Sequence, residues 1–514
     1  MDFKVISLFV LMVVITFLIT HYAAKKTNNA SSFYIAGGGL KAWQNGFAIA
    51  GDFMSAASFL GFIGAIALIG YDGYFLMYGA LVSFLVVLLL VAEPFRNLGK
   101  YTLADMLSER FQNKKLRGFI AFNTLTISVF YMLAQLVAAG GLFKLLLNIN
   151  YEISVVLVGV IMLIFVIFGG MTATSLVQII KAILLLLGTI AIFLIVMVKF
   201  DFNFVQVFHD MKTATPLKEA YLNPGVKFHG LDAFSLTLGL LLGTAGLPHV
   251  LTRFLTVPNA QVARKSVAYS IWIIGLFYVM AIFLGFSAAK FVGVANIVAV
   301  DGAGNMATPL LAKMLGGDFL FSAISAVSFA TILAVVAGIV ITSATTFSHD
   351  FYNEIIKGGK ATEKQQVRMA RFASIGITLV SIILALFVQK MNVAFLASLA
   401  LTVAASSNFP VILYTIHWKR FNVTGAVTGI VVGLVGTILL VAISPNVWSP
   451  EAGKAIFVGK PLFPLTAPGI VSIPLGFIGA YIGTIFSTRS ETGRYDEVLI
   501  KSNLGLNVKG VNHH

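Results

Sequence analysis

The stretch Gly51-Asp52-Phe53-Met54-Ser55-Ala56-Ala57-Ser58-Phe59-Leu60-Gly61 sets a carboxylate, two hydroxyls and two glycines inside a long apolar region. An ionised side chain near the middle of a membrane span costs about 2.5–3.5 kcal/mol on insertion scales, so Asp52 calls for a polar cavity or a partner. The glycines allow the helix to open there. Carbonyls and amides released by such an opening are tolerated only beside protein or a hydrated cavity, where they can hold an ion or a solute. A second stretch of this kind is Leu242-Gly243-Thr244-Ala245-Gly246-Leu247-Pro248-His249-Val250-Leu251-Thr252-Arg253-Phe254. Pro248 has no amide hydrogen, so carbonyls of the preceding turn lose their partners. The chemistry within reach is recognition rather than bond-making: main-chain dipoles and hydroxyls for a charged solute, carbonyl oxygens for a cation. The plainer alternative for Asp52 is a hydrogen bond to a neighbouring helix and nothing more.

The elements that position these stretches are membrane-spanning helices. Of 514 residues, 58% are hydrophobic and 11% charged, with mean hydropathy +0.94, against roughly 45–50% and 25% in soluble domains. About 20 mostly apolar residues make a span, and thirteen candidates run near 5–23, 46–70, 74–93, 117–146, 151–169, 173–198, 233–255, 266–290, 318–346, 371–389, 392–416, 423–444 and 466–487. The net charge of +15 reads as topology, not as a nucleic-acid surface. Lys25 and Lys26 follow the first span, which places the N-terminus outside and, after thirteen spans, the C-terminus inside. Inner segments then hold roughly 23 Lys/Arg against roughly 10 outside, as the positive-inside rule requires. The absence of Cys excludes disulfides, thiolate metal sites and Cys nucleophiles. No Walker loop, metal-ligand cluster or nucleophile triad points to an enzyme. The inner segments 98–116 and 349–368 read as short amphipathic helices or ordered loops, and the outer segments 199–232 and 445–465 have room for lid helices.

Five spans separate the two interruptions. An odd offset inserts a second repeat upside down, and paired interrupted helices are the best sequence pointer to a transporter site. Arg253 reads as snorkelling to the inner face and His249 as a packing residue. Lys181 lies about 12 Å into its span, at the limit of snorkelling; it either reaches the inner interface or brings an ammonium near the site. Lys144 sits at an outer helix end, as an interfacial anchor.

Gly246-Leu247-Pro248-His249-Val250-Leu251-Thr252-Arg253-Phe254 resembles the GxPHxxxRF signature of the sodium:solute symporter family, and Phe168-Gly169-Gly170-Met171 with Gln178 resembles its GG…Q segment. His349-Asp350-Phe351-Tyr352 and Trp418-Lys419-Arg420 are also similar, while AGDFMSAASFLG, GYDGYF at 70–75 and FATILAVVAG at 329–338 look most like the acetate permease, or cation:monocarboxylate symporter, branch. The resemblance implies an all-α polytopic membrane protein with a LeuT-like five-plus-five inverted repeat. Residues 1–45 would form a leading helix and linker, 46–199 the first repeat, 200–232 an outer loop, 233–416 the second repeat, 417–488 the trailing helices and 489–514 a cytoplasmic tail. It also implies a multi-pass protein of a bacterial inner membrane.

The resemblance further implies a cation site built from carbonyls of Gly51, Met54 and Thr331. The two hydroxyl residues that complete it in relatives fall on Ala334 and Val335, and the acid that several relatives carry falls on Ser175. Asp52, Lys181 and Ser175 join the coupling candidates. For the solute, Ser55, Ser58, Thr244 and Asn408 offer hydrogen bonds, while Phe53, Phe59 and Leu247 would wrap a short alkyl part. The expected function is import of a small, acetate-like monocarboxylate by alternating access, with Na+ ahead of H+ as the coupling ion. No cofactor or nucleic-acid partner is expected; the bilayer is the partner, and a monomer suffices. Symport of an amino acid or a larger organic acid is the alternative, with an uncoupled channel behind it.

Overall fold

A computed structural model of the chain describes residues 30–168, 170–450, 455–487 and 494–506, with scattered positions between 7 and 22. Most of the expected first span, 5–23, and the terminal histidines lie outside these residues. In a bilayer a long apolar run satisfies its backbone only as a helix or a closed barrel, and here the runs are helical. In chain order the membrane-length helices and half-helices are α1 (Ala42–Phe53), α2 (Ala57–Ile69), α3 (Tyr71–Leu98), α4 (Lys114–Leu147), α5 (Tyr151–Phe168), α6 (Met171–Lys199), α7 (Gly230–Gly246), α8 (Pro248–Thr256), α9 (Ala260–Val300), α10 (Ala307–Ile356), α11 (Glu363–Ala385), α12 (Val393–His417), α13 (Val423–Ala442) and α14 (Gly469–Ile485). Among the described residues, eight helices are long and apolar enough to cross a membrane, or ten when α1 with α2 and α7 with α8 are each taken as one bent span. Helices α5 and α14 are shorter apolar segments.

The middle of the bundle is α10, whose apolar stretch is wholly covered by protein, and α12, which is nearly so. Helix α4 packs on both, α6 packs on α1 and α10, and α7 packs on α3 and α12. Both broken helices are therefore enclosed by protein, the condition under which unwound backbone survives at membrane depth.

One end of the bundle is rich in loops tied down by carboxylates. Asp72 accepts main-chain hydrogen bonds from Gly225, Lys227 and Phe228, and Asp232 accepts them from Thr466 and Ala467. Gly70 joins α2 to α3 at φ 58°, where a Cβ would lie 2.0 Å from the Tyr221 carbonyl oxygen; the Tyr221 hydroxyl in turn donates to the Ile66 carbonyl at 2.6 Å. The 199–232 segment contains two short helices, Phe204–Ala214 and Lys218–Leu222. In 445–465 the described residues form a parallel β-pair, Trp448–Ser449 with Phe457–Val458, in place of a lid helix.

The opposite end is closed by a buried polar lattice. A short helix, Leu103–Ser108, fills the 98–116 segment, and α10 runs on through Ile356 instead of ending before His349. Arg117 bridges Asp105 at 3.0 Å and Asp350 at 2.8 Å, His349 Nε2 lies 3.1 Å from Asp105 Oδ1, and the Thr102 hydroxyl donates to Asp350 at 3.0 Å. Arg110 caps the end of α12, donating to the Thr415, Lys419 and Phe421 carbonyls at 2.7 Å each. Asp105, His349 and Asp350 bring ligand atoms within 4.8 Å of one another; the two carboxylates hold the Arg117 guanidinium, and His349 pairs with Asp105.

Burial is the largest influence on the Asp105 carboxyl and acts to raise its pKa, yet the His349 hydrogen bond and the charges of His349 and Arg117 together hold it well below the usual carboxylate range. A carboxyl depressed in the folded state contributes stability above its unfolded pKa of about 4, and that contribution is lost as pH falls below it. Asp105→Asn should therefore lower Tm at neutral pH and flatten the decline of Tm with acidification below about pH 4. Thermal unfolding of the purified protein across pH checks this; parallel profiles for the two proteins would contradict it.

Candidate functional site

Both interruptions are real breaks. Helix α1 ends where Met54 leaves helical geometry at ψ 70°, and α2 departs at 54° to it. The freed groups are met locally: the Ser55 hydroxyl accepts from the Ala57 amide at 3.2 Å, and the Ser58 hydroxyl donates to the Phe53 carbonyl at 3.2 Å and the Ser55 carbonyl at 3.1 Å. The second break falls at Leu247, extended at ψ 118°, with Pro248 as the first residue of α8, and α7 and α8 meet at 44°. The Asn408 amide donates to the Gly246 carbonyl at 2.8 Å and accepts from Asn123 at 2.7 Å, while Thr244 accepts from the Ser83 hydroxyl at 2.7 Å.

The two half-helices α1 and α8 are stitched to each other. Leu40 N donates to the Thr256 carbonyl, Asn45 Nδ2 to the Arg253 carbonyl and the Thr256 hydroxyl to Asn45 Oδ1, each at 3.0 Å. Deeper in, Arg253 Nε donates to Asp52 Oδ2, with both side chains 1% exposed. Gln178 Nε2 donates to the other Asp52 oxygen and, at 2.8 Å, to the Ala334 carbonyl, so α6 and α10 join the same knot. Arg253 Nη1 donates to the Ser175 hydroxyl at 2.8 Å. Gly51 lets α1 approach α6, since a Cβ there would stand 2.7 Å from the Gln178 carbonyl oxygen.

This arrangement corrects the snorkelling expectation for Arg253. A carboxylate on the facing half-helix gives the guanidinium a partner inside the bundle, and the side chain stays there. The partner that Asp52 requires is Arg253. Lys181 does not reach the inner interface either: it is 3% exposed, and its Nζ lies 3.4 Å from the Met54 carbonyl oxygen and 3.4 Å from that of Thr331.

Of the expected solute contacts, Ser58 and Asn408 bind carbonyls at the breaks, and Thr244 accepts from Ser83 of α3. Phe53 packs edge-on to Phe84 at 4.7 Å between centroids, Phe59 lies 6.2 Å from Phe277, and Leu247 is fully buried. Beside the breaks stands the buried Tyr131, a residue that sequence reasoning missed. Tyr131 packs against His249 with ring centroids 4.8 Å apart and planes tilted by 55°, and its helix carries Gln135 one turn further on. Gln135 is fully buried with no partner for either side-chain polar atom among the described residues, and the same holds for His249 Nε2 and the Tyr278 hydroxyl. Buried polar atoms are rarely left unpaired, so Gln135 and His249, which flank Tyr131, call for a polar guest or for water. The signal for Gln135 was present, as an amide in the middle of an apolar span; Tyr278 carried none.

A vestibule of about 1020 Å³ opens at the loop-rich end. Its walls include Lys144, Lys227 and Lys390 against a single acid, Asp301, and it extends to Val137 and Gly141 of α4, just beyond Gln135.

Residues 33–433 match the model of the sodium:solute symporter family. The chain belongs to the sodium:solute symporter family. It is 56% identical to the uncharacterized symporter YwcA of Bacillus subtilis, over 99% of this chain and 100% of that one. It is 44% identical to the monocarboxylic acid transporter of Corynebacterium glutamicum, over 93% of this chain and 91% of the relative. Among solved structures it is similar to a Na+-coupled sialic acid symporter in a substrate-bound outward-open state, with TM-score 0.71, 16% identity and coverage of 95% of this chain and 98% of that one. At that identity the likeness concerns the fold. As a sodium:solute symporter family member the chain is a multi-pass membrane transporter, and the knot of Asp52, Arg253 and Gln178 joins both broken helices at its centre.

Breaking a buried ion pair by removing one partner costs about 3–5 kcal/mol, because the other charge is left uncompensated. Asp52→Asn and Arg253→Met should each destabilise by about that much, and the double variant by clearly less than the sum. A double-mutant cycle on thermal or denaturant unfolding measures the coupling; additive losses would mean that the two groups do not sense each other.

Proposed function

We propose that this protein is a secondary active symporter that imports a small monocarboxylate together with a cation by alternating access. The observation that carries the reading is the meeting of two broken half-helix pairs at the bundle centre, beside a set of unpartnered polar side chains and just beyond the reach of a lysine-walled vestibule. The 44% identical relative named a monocarboxylic acid transporter supports a carboxylate as solute, and three lysines against one acid suit the approach of an anion. Placing the N-terminus outside, as the Lys/Arg distribution favours, makes the vestibule the extracellular mouth and the lattice of Asp105, Arg117 and Asp350 the cytoplasmic seal. Opening inward would then require that seal to part while the vestibule closes.

In this reading the two breaks belong to five-plus-five inverted repeats, α1 to α6 and α7 to α12. The solute carboxylate lies near the break of α1 and α2, meeting amides at the exposed helix start and the side chains of Ser55, Tyr131 and Gln135. Phe59, Leu247 and their neighbours enclose the alkyl part, which limits its length. Asp52 does not face an anion, because its two oxygens are already held by Arg253 and Gln178; it organises the site. The family and its Na+-coupled structural neighbour favour sodium as the driving ion. A cation and a carboxylate that together favour the occluded state, when neither does alone, suffice to couple the two gradients.

Proteoliposomes containing the purified protein should accumulate labelled acetate under an imposed inward cation gradient, Na+ or H+, above the passive entry seen in protein-free vesicles. Gln135→Leu should reduce the rate at low acetate by about 10- to 100-fold, the loss of a hydrogen bond to a charged group, with folding intact. Uptake no faster than in protein-free vesicles under either gradient would contradict the proposal.

A further inference from the structure

The cation position between Met54 and Thr331 does not suit a sodium ion. Hard cations are held by several oxygens at once, and the two side chains that should complete the set are Ala334 and Val335, which carry none. The Ala334 carbonyl is occupied by Gln178 Nε2 at 2.8 Å. Of the three carbonyls expected there, those of Gly51, Met54 and Thr331, Lys181 Nζ stands 3.4 Å from the latter two. Among the described residues Lys181 forms no ion pair, so these carbonyls are the partners recorded for a fully enclosed ammonium.

We infer that the Lys181 ammonium is a tethered cation filling the position between the Met54 and Thr331 carbonyls, so that sodium does not bind there. The chemistry is consistent on three counts. An ammonium has three N–H donors and needs no more acceptors than that, whereas a bare ion stripped of water needs more. The carbonyl of Met54 is free because α1 ends there, and it faces α6, which carries Lys181 from the side. The positive charge also bridges the α1 break to α10, the role a bound ion would play in drawing those two elements together. The inference refines the coupling half of the transport reading: any sodium that drives uptake binds elsewhere in the protein.

The test is thermal stability of the full chain in detergent or nanodiscs, in choline chloride, NaCl and ethylammonium chloride, with no solute present. Lys181→Ala removes the ammonium and leaves room for a free one. Its Tm should fall below wild type in choline and in NaCl and recover most of the loss in ethylammonium, a ligand-linked gain that exceeds any shown by the wild type. Lys181→Met keeps the volume without the charge; its Tm should fall and no salt should restore it. The inference is overturned if Lys181→Ala gains no more from ethylammonium than the wild type does, if NaCl restores it as well as ethylammonium, or if Lys181→Met matches the wild type in every salt. If Lys181→Ala cannot be recovered folded, Lys181→Met decides alone by the same criterion. Because this readout needs no solute, its failure and a failure of acetate uptake are separate results.

Discussion

One buried ion pair organises the centre of this protein. Asp52 ends the first half of a broken helix and Arg253 lies in the second half of another, and each is 1% exposed. Neither charge is tolerable alone at that depth. The pair therefore fixes the two half-helices in register, and the lighter contacts of Asn45, Thr256 and Leu40 follow from that register. Gln178 extends the same constraint to α6 and, through the Ala334 carbonyl, to α10. Near Tyr131, Gln135 and His249 keep buried polar atoms with no partner among the described residues.

The two ends of the bundle differ in how they are closed. At the loop-rich end, carboxylates hold loops in place around an open vestibule. At the other, Arg117 and Arg110 draw helix ends together through charge and through unsatisfied carbonyls, leaving no comparable opening among the cavities described. A carrier must exchange which end is open. The stitched pair α1 and α8 reaches from the central knot to the sealed end, so a motion that opens that end has to move the pair as one body or break a buried salt bridge, and the second course is the costlier.

Much of this was legible in the sequence, for identifiable reasons. The long apolar runs dictate helices, and both breaks were marked by local chemistry: Gly and Ser around Met54, and Pro after Leu247. The resemblance carried by residues 246–254 pointed to the family that the family model then matched. The pairing of Asp52 with Arg253 was not legible, because a basic residue near a helix end looks the same whether it turns to solvent or to a partner 201 residues away. Lys181 was ambiguous for the same reason, since depth along one helix does not say which carbonyls of other helices it meets. Ser58 and Asn408 were polar in the right place, but a hydroxyl or amide beside a break has orphaned backbone to satisfy, and the Thr244 hydroxyl is engaged by Ser83. Tyr131 and Tyr278 are ordinary residues for membrane helices and gained meaning only from their neighbours.

The central claim is that Asp52 and Arg253 make α1 and α8 one rigid body. The chain has no Cys, so spin labels at Trp43→Cys on α1 and Asn259→Cys just beyond α8 report their separation without background, and pulsed electron resonance measures its distribution. The account predicts one narrow distribution that stays the same with and without acetate and broadens when Asp52→Asn is added. A distribution that shifts on adding acetate while the pair is intact, or that ignores Asp52→Asn, would contradict it.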